Sequence, residues 1–366
     1  MFDRRLVQNF DWILLSLALI LGFFGLVTLY SSVTAGTQVP QMEYYKQLAW
    51  YFVGLIFLVI SFLFNYKAFD RWGHIIYILC ISLLVGVLIF GEGSKGAMRW
   101  LKFGFFSIQP SELVKIAVII ILARYHSKHA NTTGLTLREL INPFLLAIIP
   151  FILIVKQPDL GTAIMIVLIA GSMTVFVKIE MRSFLYLIVS GVISIPLVWF
   201  FLREYQKARI LTFLDPDRDP LGTGYHIIQS KIAIGSGMIF GKGFLKGTQN
   251  ALSFLPEQHT DFIFSVLAEE WGFIGSVIIL IIFLILIIKG LNVAYRCREP
   301  FGTILSVGIT AMIFWQVIIN IGMVMGLMPV VGVTLPFISY GGSSLITVMI
   351  CIGILMNVSM RRFMVE

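Results

Sequence analysis

The sequence predicts an all-α polytopic integral membrane protein with ten transmembrane helices and one large extracytoplasmic loop between spans seven and eight. Three observations predict it. The 366-residue chain is 58% hydrophobic and only 13% charged, where a soluble globular protein carries about 25% charged residues. Its apolar runs match the roughly 20 residues needed to cross a bilayer. An open sheet edge in lipid would leave backbone groups unpaired, which selects helices as the spanning element.

The elements follow in order. The first run, from Trp12 to Tyr30 within 12–31, is longer than the apolar core of a cleaved signal peptide and reads as a retained span. Spans over 47–64 and 73–90 come next, then an outer loop over 91–110. The fourth span, 111–126, opens on Gln109, Pro110, Ser111 and Glu112. The fifth and sixth, 140–156 and 158–177, are parted only by Lys156, Gln157, Pro158 and Asp159. The seventh covers 182–202, and 262–289, 303–327 and 336–360 complete the set. Residues 1–366 read as a single transmembrane domain that contains the long loop, 203–261. No internal repeat is visible, which weighs against a repeat-built transporter. Cys80, Cys297 and Cys351 form neither a disulfide framework nor a metal spacing. His126 and His129 make an isolated HxxH without an acidic or cysteine partner nearby, the pattern of a solvated loop.

Ten spans put both termini on one side. With the termini inside, fourteen basic residues outside the long loop, among them Arg71, Arg124, Lys128 and Arg298, face the cytoplasm, and five, Lys46, Lys95, Arg99, Lys102 and Lys156, face out. This positive-inside bias fixes the orientation and places 203–261 outside. The outer loop 91–110 holds Lys95, Arg99 and Lys102 against one acid, Glu92. Two readings of these cations are open, an anion to bind or lipid-headgroup contact.

Ionisable groups within spans cost about 2.5–3.5 kcal/mol at a helix centre, so each needs a reason. Glu112 and Lys115 share a helical face at i, i+3. They form either a structural ion pair or a Lys115 that meets a substrate phosphate while Glu112 holds it. Asp159, after Pro158, suits the first turn of a helix. Glu269 and Glu270 cannot both face lipid, so at least one faces a cavity or a polar partner. Gln316 and Asn320, at i, i+4, suit helix joining. In the long loop, Asp215, Asp217 and Asp219 read as a turn or, alternatively, a divalent-cation site. The middle of 222–235 reads as a short amphipathic helix. Glycines over 235–247 are interleaved with Lys242 and Lys246.

Asp261 stands out. It is delivered where the polar loop ends and an apolar helix begins, crowded by Glu257, Gln258, His259 and Thr260. Helix capping asks for one such group and leaves the others unexplained. Chemistry on a lipid-linked substrate explains the cluster, with Asp261 as the catalytic group.

Five segments in order, KGAMRWL (95–101), QPSELVK (109–115), QPDLGT (157–162), FLPEQHTDFIFSVLAEEWG (254–272) and LPFISYGGSS (335–344), resemble the SEDS family (shape, elongation, division, sporulation) over nearly the whole chain. Residues 219–243 and 247–249 resemble its elongation member more than its division member. Trp271 and Met238 stand where the family pattern leads one to expect smaller residues. The resemblance implies a peptidoglycan glycosyltransferase in the bacterial cytoplasmic membrane, using lipid II and a lipid-linked nascent glycan. It also implies a class B penicillin-binding protein as partner, alongside other membrane proteins of the elongation complex; no nucleic-acid partner is expected. The essential acid of its HTDF motif falls on Asp261, and the paired Glu and Lys of its QPSE segment on Glu112 and Lys115.

On that footing Asp261 is the expected general base toward the acceptor hydroxyl. Lys115, Arg99, Lys102 and Arg209 are expected at the diphosphate, with Glu112, His259 and Thr260 in support. Glu269, Glu270 and Asp159 are expected to line a cavity. No cofactor is certain; a divalent metal, Mg or Mn, is the one to test for beside these cations. The rivals are a lipid II flippase, without chemistry, and a scaffold for a cell-wall complex.

Overall fold

The computed structural model describes residues 10–34, 42–91, 99–103, 106–129, 134–219, 222–252, 254 and 258–361. All ten expected apolar segments are helical over most of their length: α1 (Trp12–Thr34), α2 (Met42–Leu63), α3 (Lys67–Phe90), α4 (Pro110–His129), α5 (Leu137–Lys156), α6 (Leu160–Phe176), α7 (Met181–Phe201), and, after the long loop, α11 (Ile263–Arg296), α12 (Pro300–Val324) and α13 (Gly342–Arg361). Among the described residues seven of these, α1, α2, α3, α5, α11, α12 and α13, are long and apolar enough to cross a membrane. α6 is shorter, at 17 residues, and α4 carries Glu112, Lys115, Arg124 and Lys128. The chain is a multi-pass membrane protein.

The structure departs from the expected boundaries where hydropathy is a poor guide. α2 and α3 start at Met42 and Lys67, ahead of 47 and 73, because their polar first turns are helical without being apolar. The last helix starts at Gly342 instead of 336. The apolar stretch before it, including Leu335, Phe337 and Ile338, is buried as irregular chain, so 325–341 forms one long connection between α12 and α13. The all-α expectation is also amended. In the loop between α3 and α4, β1 (Leu101–Phe103) pairs antiparallel with β2 (Phe106–Ile108), Lys102 opposite Ser107.

The long loop is structured. It contains α8 (Glu204–Leu214), a 3-10 turn over Pro216–Arg218, α9 (Thr223–Ser236) and α10 (Thr248–Ala251). The core lies on α4, whose residues Ile116–Ala123 are all buried, as expected of a helix apolar on every side. α3 and α12 flank α4, and α13 lies along α2. A Cβ on Gly308 of α12 would fall 2.7 Å from both Ile119 of α4 and Met173 of α6, so glycine there lets three helices approach closely. Outward faces carry Ile78, Phe90, Phe144 and Phe273, the surface a bilayer covers.

One break shapes the end of the bundle where the long loop folds. α11 has non-helical torsions at Gly272, with φ 66°, and the loop segment 238–243 bridges the gap. Lys242 N and Gly243 N donate to the carbonyls of Glu269 and Glu270, each at 3.0 Å, while Phe273 N and Ile274 N donate to Met238 O at 2.9 Å and Ile239 O at 3.2 Å. The backbone groups freed by the break are thus satisfied inside protein, the condition for irregular chain at membrane depth. A Cβ on Gly272 would lie 2.3 Å from Gly241 N, so only glycine fits. Trp271 packs edge-on against Phe24, centroids 6.1 Å apart, and Met238 is exposed at the loop tip.

Candidate active site

The turn 258–262 leads into α11, whose N-cap is Phe262; the first turn of the helix contains no acid. Asp261 therefore precedes the cap, and an ordinary first-turn role does not account for it. The turn is fixed through its backbone. Tyr340 N donates to His259 O at 2.9 Å, Ser339 Oγ to Thr260 O at 2.7 Å, and Asn320 Nδ2 to Asp261 O at 3.0 Å. Three successive carbonyls are each held by a different donor. The Asp261 carboxylate projects beside Gly332, where a Cβ would stand 3.3 Å from Oδ2. The His259 ring lies 5.8 Å from that of Tyr340. Glu257 falls outside the described residues; Gln258 Nε2 donates to Ser32 O at 3.1 Å.

The connection 325–341 that supplies these donors is itself clamped. Asn320 Nδ2 also donates to Val333 O at 2.7 Å, and Ser339 Oγ accepts from Leu335 N at 2.8 Å. Gln47 of α2 donates to Ser339 O at 3.3 Å and accepts from Gly341 N at 3.1 Å. The Tyr51 hydroxyl donates to Phe337 O. Gln316, expected to join helices with Asn320, is wholly buried and its amide makes no hydrogen bond.

Two arginines bring positive charge to this face. Arg209, on α8, has its pKa lowered by burial and then by Arg99, opposed by Tyr205, Asp261 and Asp159. A guanidinium stays charged through such a shift, and both Asp261 and Asp159 act on it electrostatically. The Arg209 Cζ stands 6.0 Å from the Tyr205 ring centroid, one helical turn away. Arg99 donates from Nε to Gln157 O at 3.3 Å and from Nη2 to Pro158 O, which pins the loop between α3 and α4 to the α5–α6 corner. The Lys102 side chain lies outside the described residues.

Asp159 is the N-cap of α6. It accepts from Thr162 N at 3.2 Å and Thr162 Oγ1 at 3.0 Å. Gln109 Nε2, at 3.0 Å, and Ser111 Oγ, at 3.3 Å, add two more donors. The sequence placed Asp159 in the first turn of this helix; it stands one residue earlier, at the cap, and also ties the start of α4 to the start of α6. Lys115 is 2% exposed and sits 2.8 Å from Glu112. The two pair within the bundle, as their spacing suggested.

Glu269 and Glu270 are buried against the loop. Glu269 Oε1 accepts from Lys242 Nζ at 2.6 Å, Thr248 Oγ1 at 3.1 Å, Gln249 N at 3.1 Å and Ser236 Oγ at 3.4 Å; Glu270 accepts from Ser31 Oγ. Their partners are side chains and backbone of the long loop and α1. Asp215 pairs with Arg218 at 3.7 Å, within the turn. Among the described residues no three His, Cys, Asp or Glu side chains are grouped so as to hold a metal ion.

Sequence reasoning missed Tyr205, Gln47, the pairing of Lys242 with Glu269 and the backbone roles of Asn320 and Ser339. Tyr205 and Arg209 at i, i+4 on one short helix were a usable signal. Backbone clamps leave none, because any donor of suitable length can make them.

A family model described as cell cycle protein, FTSW_RODA_SPOVE, matches residues 11–363. The peptidoglycan glycosyltransferase MrdB of Escherichia coli (strain K12) is 43% identical over 339 residues, covering 91% of this chain and 89% of its own. Stage V sporulation protein E of Bacillus subtilis (strain 168) is 38% identical over 364 residues, covering 95% and 96%. Among solved structures, a chain from a peptidoglycan synthase complex, studied for the structural coordination of polymerization and crosslinking, superposes with TM-score 0.82 at 29% identity, covering 97% of this chain and 98% of that one. The rod shape determining protein RodA of Thermus thermophilus superposes with TM-score 0.72 at 26% identity, covering 97% and 98%.

Proposed function

We infer that this chain, which belongs to the FtsW/RodA/SpoVE family of cell cycle proteins, is a peptidoglycan glycosyltransferase that polymerises lipid II at the outer face of the bacterial cytoplasmic membrane. The observation that carries the site reading is the turn at 259–261, whose three carbonyls are each fixed by a separate donor. A carboxylate on a backbone held this firmly, within electrostatic reach of Arg209, is what a reaction between charged, lipid-tethered substrates needs.

In this reading Asp261 accepts the proton of the acceptor GlcNAc 4-hydroxyl as that oxygen attacks the anomeric carbon of the donor MurNAc. The bond to the donor diphosphate breaks with its electron pair, so undecaprenyl diphosphate leaves as a stable anion. No second carboxylic acid is needed of the kind glycosidases use. Arg209 and Arg99 stabilise the charge that develops on the diphosphate, with Lys102 a third candidate. Attack from the face opposite the leaving group inverts the α-diphosphate to a β-1,4 link. Glu112, Lys115 and Asp159 support this arrangement from below, His259 and Thr260 from within the turn. A divalent Mg or Mn, where one takes part, would rest mainly on the substrate diphosphate and neutralise its charge, since no three His, Cys, Asp or Glu side chains are grouped for it among the described residues.

The remaining topology is part of the same proposal: ten spans, both termini cytoplasmic and 203–261 outside. The partner is a class B penicillin-binding protein that crosslinks the new strand, in a complex serving cell elongation and rod shape. The similarity to a chain of a complex that couples polymerization with crosslinking supports that partner.

The test is polymerisation of labelled lipid II by purified protein, alone and with a class B penicillin-binding protein lacking transpeptidase activity. Wild type is expected to make glycan chains, and Asp261→Ala to lose at least 10²–10⁴-fold, the usual contribution of a general base. An Asp261→Ala protein matching wild type would remove Asp261 from the mechanism. Folded wild-type protein that makes no polymer even with its partner would put the flippase reading first. Its support is the Glu112–Lys115 pair buried within the bundle.

A further inference from the structure

The helix break and the acids beside it place a control on Asp261 some distance from the chemistry. The half-helix 263–271 lies between the reactive turn and Gly272. Its residues Ile263 to Glu270 are all buried, so it moves as a block. At 1.5 Å per residue the block is about 13 Å long, and a tilt of about 5° at the break carries its far end about 1 Å. The peptide chain alone does not set that tilt, because the helical ladder is interrupted at Gly272. The loop segment 238–243 sets it, through the four backbone hydrogen bonds that span the break.

The segment is locked in turn by one ion pair. Lys242 Nζ lies 2.6 Å from Glu269, whose side chain is 1% exposed against 26% for Lys242. The same ammonium donates to Thr248 Oγ1 at 2.7 Å, and Thr248 donates to Glu269 Oε1 at 3.1 Å. Lys242 N meanwhile donates to Glu269 O. Main chain and side chain of Lys242 thus grip the carbonyl and the carboxylate of Glu269, both on the half-helix before the break. We propose that Lys242 is a positioning residue for polymerisation: its ammonium, closed on the buried Glu269, fixes the half-helix that carries Asp261 and so sets the reach of the carboxylate to the acceptor hydroxyl. This rests on the reading of Asp261 as the base.

The test uses the full chain in proteoliposomes with labelled lipid II, rates being normalised to folded protein. Lys242→Met should lower kcat about tenfold or more, within the roughly 10²-fold that a 1 Å misplacement costs, with KM for lipid II within about twofold. Lys242→Arg, which keeps charge and donors, should return kcat to within about threefold of wild type. The double variant Lys242→Met/Glu269→Gln removes the unpaired buried charge and should fold normally, yet keep the lowered kcat. This third variant carries the test if Lys242→Met does not fold. A double variant with wild-type kcat, or a Lys242→Arg protein no better than Lys242→Met, would overturn the proposal and leave only a structural salt bridge. Asp261→Asn is measured in parallel. If it polymerises like wild type, the base assignment fails and takes the proposal with it. If it is inactive while folded Lys242→Met keeps full kcat, the positioning role alone is lost.

Discussion

Asn320 uses one amide nitrogen for two acceptors, Asp261 O and Val333 O, and so joins the reactive turn to the connection between α12 and α13. Replacing it with alanine leaves both carbonyls short of a donor inside protein. Each stranded carbonyl costs about 1–3 kcal/mol, so Asn320→Ala should lower the thermal midpoint while reducing the polymerisation rate about tenfold or more, since the turn loses one of its three backbone anchors. Parallel melting curves and initial rates decide it; a variant that melts early but turns over normally would show that the remaining two anchors suffice. At this scale the sequence was informative about charge and silent about backbone. Asp261 was legible because a carboxylate among Gln258, His259 and Thr260 exceeds what a helix cap needs. Asn320 was not, because an amide one turn from Gln316 looks like helix glue, and only the course of 325–341 shows what it holds.

At the scale of the element, the helices were legible and their interruptions were not. An apolar run long enough to cross a bilayer has few alternatives to helix. Gly272, by contrast, sits in α11 like any membrane glycine, and Leu335–Ser339 is apolar enough to pass for the start of a span. Gly272→Ala should expose the difference. The position needs φ 66° and its Cβ would meet Gly241 N, so the substitution should cost more than about 1 kcal/mol and open the loop over 238–252 to protease. Unchanged cleavage would mean that the loop docks without the break. The Glu112–Lys115 pair makes the complementary case, a feature whose spacing alone predicted its contact. Lys115→Met strands a buried carboxylate and should destabilise by about 3–5 kcal/mol, whereas Glu112→Gln/Lys115→Met, with no charge left to bury, should lose much less. Yield and melting of the folded proteins in detergent measure both. A double variant that is stable and polymerises normally would confine the pair to structure and leave the diphosphate to the arginines.

For the whole molecule, the arrangement makes sense in one orientation. Every proposed reactive group, Asp261, Arg209 and Arg99, lies at the end of the bundle where α11 begins, where α12 ends and where the long loop folds down. The opposite end carries Arg124, Lys128, Arg296 and Arg298. In the proposed orientation, which follows the fourteen-to-five split of basic residues in the sequence, that second end is cytoplasmic and the reactive end lies outside. The assignment is testable without activity. Cys80, Cys297 and Cys351 are buried and free, so an added surface cysteine would dominate labelling. Asp217, in the long loop, is exposed, and Tyr295, near the far end of α11, is 88% exposed. In intact spheroplasts a membrane-impermeant maleimide should label Asp217→Cys and spare Tyr295→Cys until the membrane is permeabilised. The reverse pattern would put Asp261 on the cytoplasmic face and be incompatible with polymerisation outside. Labelling of Asp217→Cys that is lost when the crosslinking partner is bound would show, in addition, that the partner covers the loop holding Arg209 and Lys242.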